Sequence, residues 1–411
     1  MTQQNITALM HYSLEDPLRG GQFRTYYLFR FLSKKYNITL LTLEYRECEK
    51  SKSWGKFIEI HIKKNNLLDS FLWSIIGITL GCNGCWPMIC SISTFFNREY
   101  GKESKKYIAQ SKVVILEHPY LFMSIKRFLR RQIVIYNAHN VEYIYQKSIL
   151  GKSFLAKLFS IFVKFIENKS CWGADIILTT SEHDRKKIHK LYKVPLNKIL
   201  VVPNGTDPNT IKPCLKSTKG TIKSTLNLET KKIILFIGSN HPPNLEALEF
   251  IIFQLQPQLH DFYFLVCGPI GSAFLEKHGD SAIKLTNVRF AGLVSEDVKL
   301  NLLNAADIAI NPMFSGSGTN IKMLEYMAAG IPVVTTPFGA RGLEIKNAVH
   351  AVIADKKDFA KSIKELYEDG TLCEELRSNA RKLVEEKYDW QKITQDMEYI
   401  IQKNLKSQAC Q

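Results

Sequence analysis

The stretch GSGTNIKMLEYMAAGIPVV, Gly316 to Val334, decides how the chain is read. It opens as a glycine-rich loop, becomes a helix near Asn320, stops at Gly330 and resumes as a short apolar run. Loop, helix and strand in that order form one unit of a parallel sheet with helical crossovers. Gly316 and Gly318 let the loop turn its amides toward one point. Ser317 or Thr319 can cap the helix that follows. A helix N-terminus offers unpaired N–H donors and partial positive charge, and a phosphate is stabilised there. Lys322, in the first turn, adds a full charge. Glu325 lies three residues on along the same face and can accept hydrogen bonds from two ribose hydroxyls. Phosphate first and ribose beyond it suit a nucleotide diphosphate. The plain alternative is a surface helix with a Lys–Glu pair and a well-made cap.

Outward from this stretch, short apolar runs alternate with helical patterns. Asn37–Tyr45, Lys112–His118, Gln132–Asn140, Ala174–Ser181 and Lys198–Gly205 read as strands of a first sheet. Lys232–Ser239, Phe262–Pro269, Val288–Leu293, Asp307–Pro312, Ile331–Pro337 and His350–Asp355 read as a second set. Continuous apolar runs, rather than alternating ones, indicate strands covered on both faces. The polar cluster between the sets reads as a linker over 208–229. The expected domains are therefore 1–207, a linker over 208–229, 230–387, and a C-terminal helix over 388–411 packing back on the first domain. Ligands bind such sheets at the carboxyl ends of their strands.

The chain has 411 residues and a net charge of +16. Residues 1–210 carry 31 Lys and Arg against 16 Asp and Glu, a net of +15, so the basic part is the front half. Segregated charge of this kind points to an anionic partner: nucleic acid, a membrane surface or an acidic substrate. Nine cysteines without a regular framework suit a reducing compartment. Cys82, Cys85 and Cys90 sit in CNGCWPMIC, but no second Cys or His pair follows at metal spacing, so they read as thiols. No basic start followed by an apolar stretch marks a signal peptide. Phe71–Phe96 carries no charge and is long enough to span a bilayer, yet its glycines and Pro87 break it into helix, loop and helix. Lying against a membrane surface, beside Lys63, Lys64 and Arg98, fits it better than spanning.

The run around Gly316–Val334, with NVRFAGLVSEDVKLNLLNAADIAINPMF before it, resembles the GT4-like (group 1) retaining glycosyltransferases of GT-B architecture. GGQFRTYYLFRFL, YNAHNVE, ILTTSEHD, VVPNGTD and FIGSNHPPNLEALEFI follow the family's order, so the resemblance covers nearly all of the chain. It implies an α/β fold of two doubly wound, Rossmann-like parallel-sheet domains facing across a cleft. It further implies that Gly20 and Gly21 approach the donor phosphates with Arg24 beside them, and that His139 lies near the donor sugar. Gly238 and Ser239 would lie over the phosphates, and the Val294 backbone would meet the base. The 316–319 loop (Gly316, Ser317, Gly318, Thr319) and Lys322 would hold the diphosphate, and Glu325 the ribose. Two departures are visible. The Arg and Lys usual after the Gly238 turn are absent, leaving Asn240, His241 or Asn244 to fill the gap. Ser317 stands where the family has the first acid of a Glu-x7-Glu pair.

The resulting expectation is a transferase that moves a sugar from a nucleotide-diphosphate donor to an acceptor hydroxyl with retention, by front-face attack. It needs no cofactor or divalent metal. His139, Lys322 and Glu325 carry the chemistry. The expected partners are the donor, a glycan or lipid-linked acceptor and an anionic membrane surface, at a cytoplasmic, membrane-peripheral location. An inactive GT-B scaffold and a polyanion-binding protein are the rival classes. No nucleic-acid module supports the latter.

Overall fold

The computed structural model describes residues 3–14, 20–44, 49–64, 66–77, 85–150, 153–279 and 286–409. The chain divides into two compact units, residues 1–203 with 393–411, and residues 204–392.

The first unit holds β1 (Gln4–Leu9), β2 (Tyr36–Glu44), β3 (Ser51–Trp54), β4 (Phe57–Lys63), β5 (Val113–Glu117), β6 (Ile133–Ala138), β7 (Ile176–Thr179) and β8 (Ile199–Val201). Their order across the sheet is β3-β4-β2-β1-β5-β6-β7-β8. All neighbours are parallel except β3 and β4, which form a hairpin through Gly55 at φ +72°. Glycine takes this left-handed conformation without the steric cost a Cβ would add. β5, β6 and β7 are buried at every position, as their mainly apolar runs require. The core on one face gathers Leu9, Leu41, Leu116, Tyr136 and Ile177. Strand order reverses direction between β1 and β5, so the loops after these two strands flank the switch point where such sheets bind ligands.

The second unit holds β9 (Lys232–Ile237), β10 (Phe262–Cys267), β11 (Val288–Gly292), β12 (Ile308–Asn311), β13 (Val333–Thr335) and β14 (Val352–Ile353), ordered β11-β10-β9-β12-β13-β14 and parallel throughout. Its switch point lies between β9 and β12. The loop after β9 carries Gly238 and Ser239; the loop after β12 is Gly316–Thr319.

The structure amends several sequence readings. The segment 208–229 contains the helix Lys216–Thr225 and belongs to the second unit. Ile222 and Leu226 pack against that unit's core, and Lys219 and Lys223 both grip Asp307 at 2.7 Å. The C-terminal helix runs Trp390–Ala409 and counts with the first unit from Ile393. There Glu398 accepts from Lys35 at 2.6 Å. Strands β1, β3 and β4 were not expected from sequence. The segment 71–96 is helical at both described ends, Asn66–Gly77 and Trp86–Ser93, whose Trp73 and Trp86 stack at 4.6 Å. Residues 78–84, including Cys82, lie outside the described residues. Among the described residues no helix is long and apolar enough to cross a membrane. Cys85 and Cys90 are buried, and no metal-holding group of His, Cys, Asp and Glu is found among the described residues.

Candidate active site

In the second unit, the helix Ile321–Ala328 leaves the loop after β12 beside the switch point. Gly316 and Gly318 have φ of +119° and +64°, which glycine alone tolerates easily, so the loop can fold back toward the helix start. The N-cap position falls on Asn320, not on Ser317 or Thr319, and no side chain caps the helix. Asn320 instead donates to the Gly339 carbonyl at 2.9 Å, and Thr319 Oγ1 accepts from Asn204 at 2.8 Å. The Met323 amide bonds the Asn320 carbonyl at 3.0 Å, and the Asn320 side chain takes none of the other first-turn N–H donors, an arrangement that suits an anion.

Lys322 reaches Asn244 Oδ1 at 2.8 Å and lies 4.3 Å from the centre of the Phe236 ring. Asn244 in turn donates to the carbonyl and hydroxyl of Ser239, at 3.0 and 3.1 Å. Lys322, Ser239 and the loop after β9 thus meet through Asn244. Burial pushes the Lys322 ammonium down to about 7, against the weaker pull of Glu325. An ammonium held beside a neutral amide and a ring, with no carboxylate bonded to it, is set to gain from an anion. Glu325 accepts from Lys299 at 3.1 Å. Burial opposes the charge on Lys299, but Glu325 and Glu296 outweigh it and hold its ammonium above the usual range. Tyr326 pins the helix by accepting from the Ile237 amide at 2.7 Å.

Gly238 donates to the Cys267 carbonyl at 2.9 Å, and a Cβ on it would lie 2.9 Å from Ile270. Val294 follows β11 and packs its side chain on the core, leaving its backbone between Leu293 and the cap Ser295. Sequence reasoning missed Arg341. Its guanidinium stacks 3.7 Å over Phe338, and Nη2 lies 3.6 Å from where a Gly316 Cβ would be. A second cation therefore borders the glycine loop, supplied from beyond β13.

In the first unit, β5 and β6 are in register with Glu117 opposite Asn137. His139 follows β6 and bonds through Nε2 to Glu117 Oε2 at 2.5 Å. Glu117 also accepts from Asn137 and Thr25 at 2.9–3.1 Å. Burial opposes ionisation of Glu117, yet the His139 hydrogen bond and its other donors hold it below the usual carboxylate range. Burial, then the neighbouring His118, pushes His139 down to about 4. His139 is thus neutral at pH 7 with its proton on Nε2, because the carboxylate accepts there. The lone pair is left on Nδ1, which is buried and has no partner. Gly21, in the first turn of the helix Gly20–Leu32, faces that atom: a Cβ on it would lie 3.0 Å from Nδ1 and 2.7 Å from the Tyr12 hydroxyl.

Arg24 is not a surface residue. It is fully buried, donating to Asn137 Oδ1 at 2.8 Å and to the Pro203 carbonyl at 2.9 Å, and so braces the Glu117 network from below. His118 and Glu142, also missed, form a parallel pair at 3.0 Å, with His118 bonded to Tyr12 at 3.0 Å and its ring 4.3 Å from that of His139.

Two parallel-sheet units, each with a candidate loop at its switch point, define an α/β protein of GT-B type. Comparison with known proteins gives the family. Residues 19–210 match the model "Glycosyltransferase Family 4" and residues 231–369 match "Glycosyl transferases group 1". The chain belongs to the GT4-like glycosyltransferases. It is 25% identical over 241 residues to an uncharacterized glycosyltransferase of Methanocaldococcus jannaschii, covering 56% of this chain and 60% of that relative. It is 25% identical over 231 residues to a putative glycosyltransferase of Bacillus subtilis, covering 52% of this chain and 56% of the relative. The matched part is thus about 60% of these relatives' own length. The sucrose-phosphate synthase of Thermosynechococcus elongatus superposes with a TM-score of 0.77 at 14% identity, over 98% of this chain and 100% of that one. Anabaena HepE in complex with UDP-glucose does so with a TM-score of 0.71 at 13% identity, over the same shares. Both establish the GT-B fold.

Proposed function

We propose that this chain transfers a sugar from a nucleotide-diphosphate donor to the hydroxyl of a glycan or lipid-linked acceptor, with retention of configuration. The observation that carries the reading is the Lys322 ammonium, held by Asn244 in the first turn of an uncapped helix at the switch point of the second sheet. Glycosyl–phosphate cleavage builds negative charge on the leaving diphosphate. Amide donors of the first turn, the glycine loop and Lys322 meet that charge where it develops. They supply the positive field that a divalent metal supplies elsewhere, so the reaction proceeds without one. Glu325 accepts from the ribose hydroxyls, steadied by Lys299. A complex of HepE with UDP-glucose among the similar folds supports a nucleotide-sugar donor here.

His139 orients the donor sugar. Its Nδ1 accepts a hydrogen bond from a sugar hydroxyl, and Glu117 fixes the tautomer that makes this possible. Retention is supported by the commitments of the acids near both switch points. Glu117 is bonded to His139, Asn137 and Thr25, Glu142 to His118 and Tyr120, and Glu325 to Lys299. None of the three stands ready as a covalent nucleophile, so the acceptor attacks from the leaving-group face and passes its proton to the departing phosphate oxygen.

The test is incubation with a panel of nucleotide sugars, scoring nucleoside-diphosphate release with and without candidate acceptors. Release from one donor, abolished in Lys322→Ala, is the expected result. A protein whose melting temperature rises with a nucleoside diphosphate but which releases none from any donor is an inactive scaffold, and Ser317 is then the residue to restore to Glu.

A further inference from the structure

The helix Phe154–Gly173 carries apolar side chains on two faces. Its inward face holds Ala156, Ser160, Val163, Ile166, Glu167, Ser170 and Cys171, all buried. Its outward face carries Phe154, Leu158, Ile161, Phe165 and Trp172, exposed by 80, 53, 60, 49 and 54%. At 100° per residue these five fall within a narrow stripe along one line of the helix. A helix that only covered a core would turn such side chains inward. A second stripe runs along Asn66–Gly77, where Leu67, Phe71 and Ile75 recur every four residues and are exposed by 87, 60 and 52%. Both helices rest on the same small core, which takes Ile76 from one and Ala156 and Val163 from the other. Contiguous apolar surface of this kind marks an interaction face.

Charge selects the occupant. Lys157, Lys164 and Lys169 are exposed along the edges of the long stripe, and Lys63 is exposed just before the short one. The acids of the two described helices, Glu167 and Asp69, are both fully buried, so neither outward face presents a carboxylate. The unit that bears both stripes carries the excess positive charge of the chain. Neither helix can cross a bilayer. We propose that this face seats the first unit on an anionic lipid surface, with the two apolar stripes in the acyl boundary and the lysines at the headgroups. The proposal goes beyond the transferase reading and does not depend on it.

The experiment is co-sedimentation of the full chain with vesicles of phosphatidylcholine alone, or of phosphatidylcholine with phosphatidylglycerol. Binding to the anionic vesicles alone, weakened by salt, is expected. Lys157→Gln with Lys164→Gln lowers the partition coefficient about thirtyfold, from the attraction each lysine near the surface supplies. Ile161→Asp with Phe165→Asp removes binding while leaving the urea midpoint unchanged, because both side chains already face water. Three results each overturn the proposal: no preference for anionic vesicles, retained binding in the double Asp variant, or a concentration-dependent dimer in ultracentrifugation that the Asp variant dissolves. The last would assign the face to a second copy. No nucleotide sugar is present, so this outcome is independent of the transferase assay.

Discussion

Donor affinity should fall with pH through the titration of one residue. Burial depresses Lys322 to about 7 in the empty protein. A diphosphate bound at the helix start favours the ammonium and raises that value. The group is therefore charged and ready below 7, and above 7 binding must first take up a proton. With a free value near 7, about ten in eleven molecules carry the charge at pH 6 and about one in eleven at pH 8. If only the charged form binds, the Kd for a nucleotide sugar is about tenfold weaker at pH 8 than at pH 6, or about 1.4 kcal/mol. A nucleotide sugar is the right probe, because its diphosphate diester does not titrate in this window whereas a terminal phosphate does. Calorimetry in buffers of differing ionisation enthalpy should register uptake of close to one proton per donor at pH 8. Lys322→Arg keeps its charge throughout, so its Kd should be flat across the window whatever its absolute value. A flat wild-type profile, or an identical slope in Lys322→Arg, refutes the assignment of Lys322 to the diphosphate.

Gly21→Ala drives a methyl group against the Tyr12 hydroxyl and His139 Nδ1. Steady-state kinetics should show kcat down by about tenfold or more, while thermal unfolding shifts little because side-chain ends can give way. His139→Ala, assayed with the cognate donor, should lower kcat more than it raises KM, since orientation rather than binding is lost. Gly339→Ala would put Cβ 2.3 Å from Thr335 Oγ1 and 2.6 Å from the Asn311 carbonyl, so backbone must move. Chemical denaturation should register a loss of about 1–3 kcal/mol. Arg341→Ala should weaken donor binding severalfold in calorimetry without altering the unfolding midpoint by more than the loss of its Phe338 stack explains. Treatment with EDTA should leave turnover unchanged.

What could be read from sequence followed from locality. β5, β6 and β7 announce themselves because each is buried on both faces and so is almost entirely apolar up to the polar residues near its carboxyl end. β4 does not, because FIEIHIK places Glu59 and His61 inside the protein. Glu59 is satisfied there by the Leu14 amide, Thr42 and Trp54, partners brought together by folding. The helix Lys216–Thr225 was hidden by its polar composition. It is held by Ile222 on the unit's core and by the clamp on Asp307, over eighty residues away in sequence. Lys322 and Glu325 were legible because a helix fixes their relation within one turn. Arg341 was not, since only the packing of the β13 loop beside Gly316 brings it near, and Asn244 took its role from a contact with Lys322 that spans 78 residues. The burial of Arg24 and its bonds to Asn137 and Pro203 were hidden for the same reason, since these partners lie 113 and 179 residues away.

The two units hold their polar groups by opposite electrostatic means. In the first, Arg24, Asn137, Thr25, Glu117 and His139 satisfy one another in a buried chain. A network of this kind rigidifies what it holds, because any rotation strands a charge out of water. Its one unspent atom, His139 Nδ1, is an acceptor, suited to a hydroxyl. In the second unit the unspent capacity is donor: an ammonium supported by a neutral amide and a ring, and amides at a helix start that no side chain caps. That capacity is suited to an anion. The first unit thus presents a rigidly held acceptor, and the second a reserve of donors. On this argument Glu117→Gln should be the more revealing change in the first unit. It removes the charge that fixes the Nε2 proton, so His139 can present N–H at Nδ1 in place of a lone pair. A loss of kcat together with a ¹⁵N spectrum still showing the Nε2-protonated tautomer would break the link between Glu117 and the orientation of the sugar.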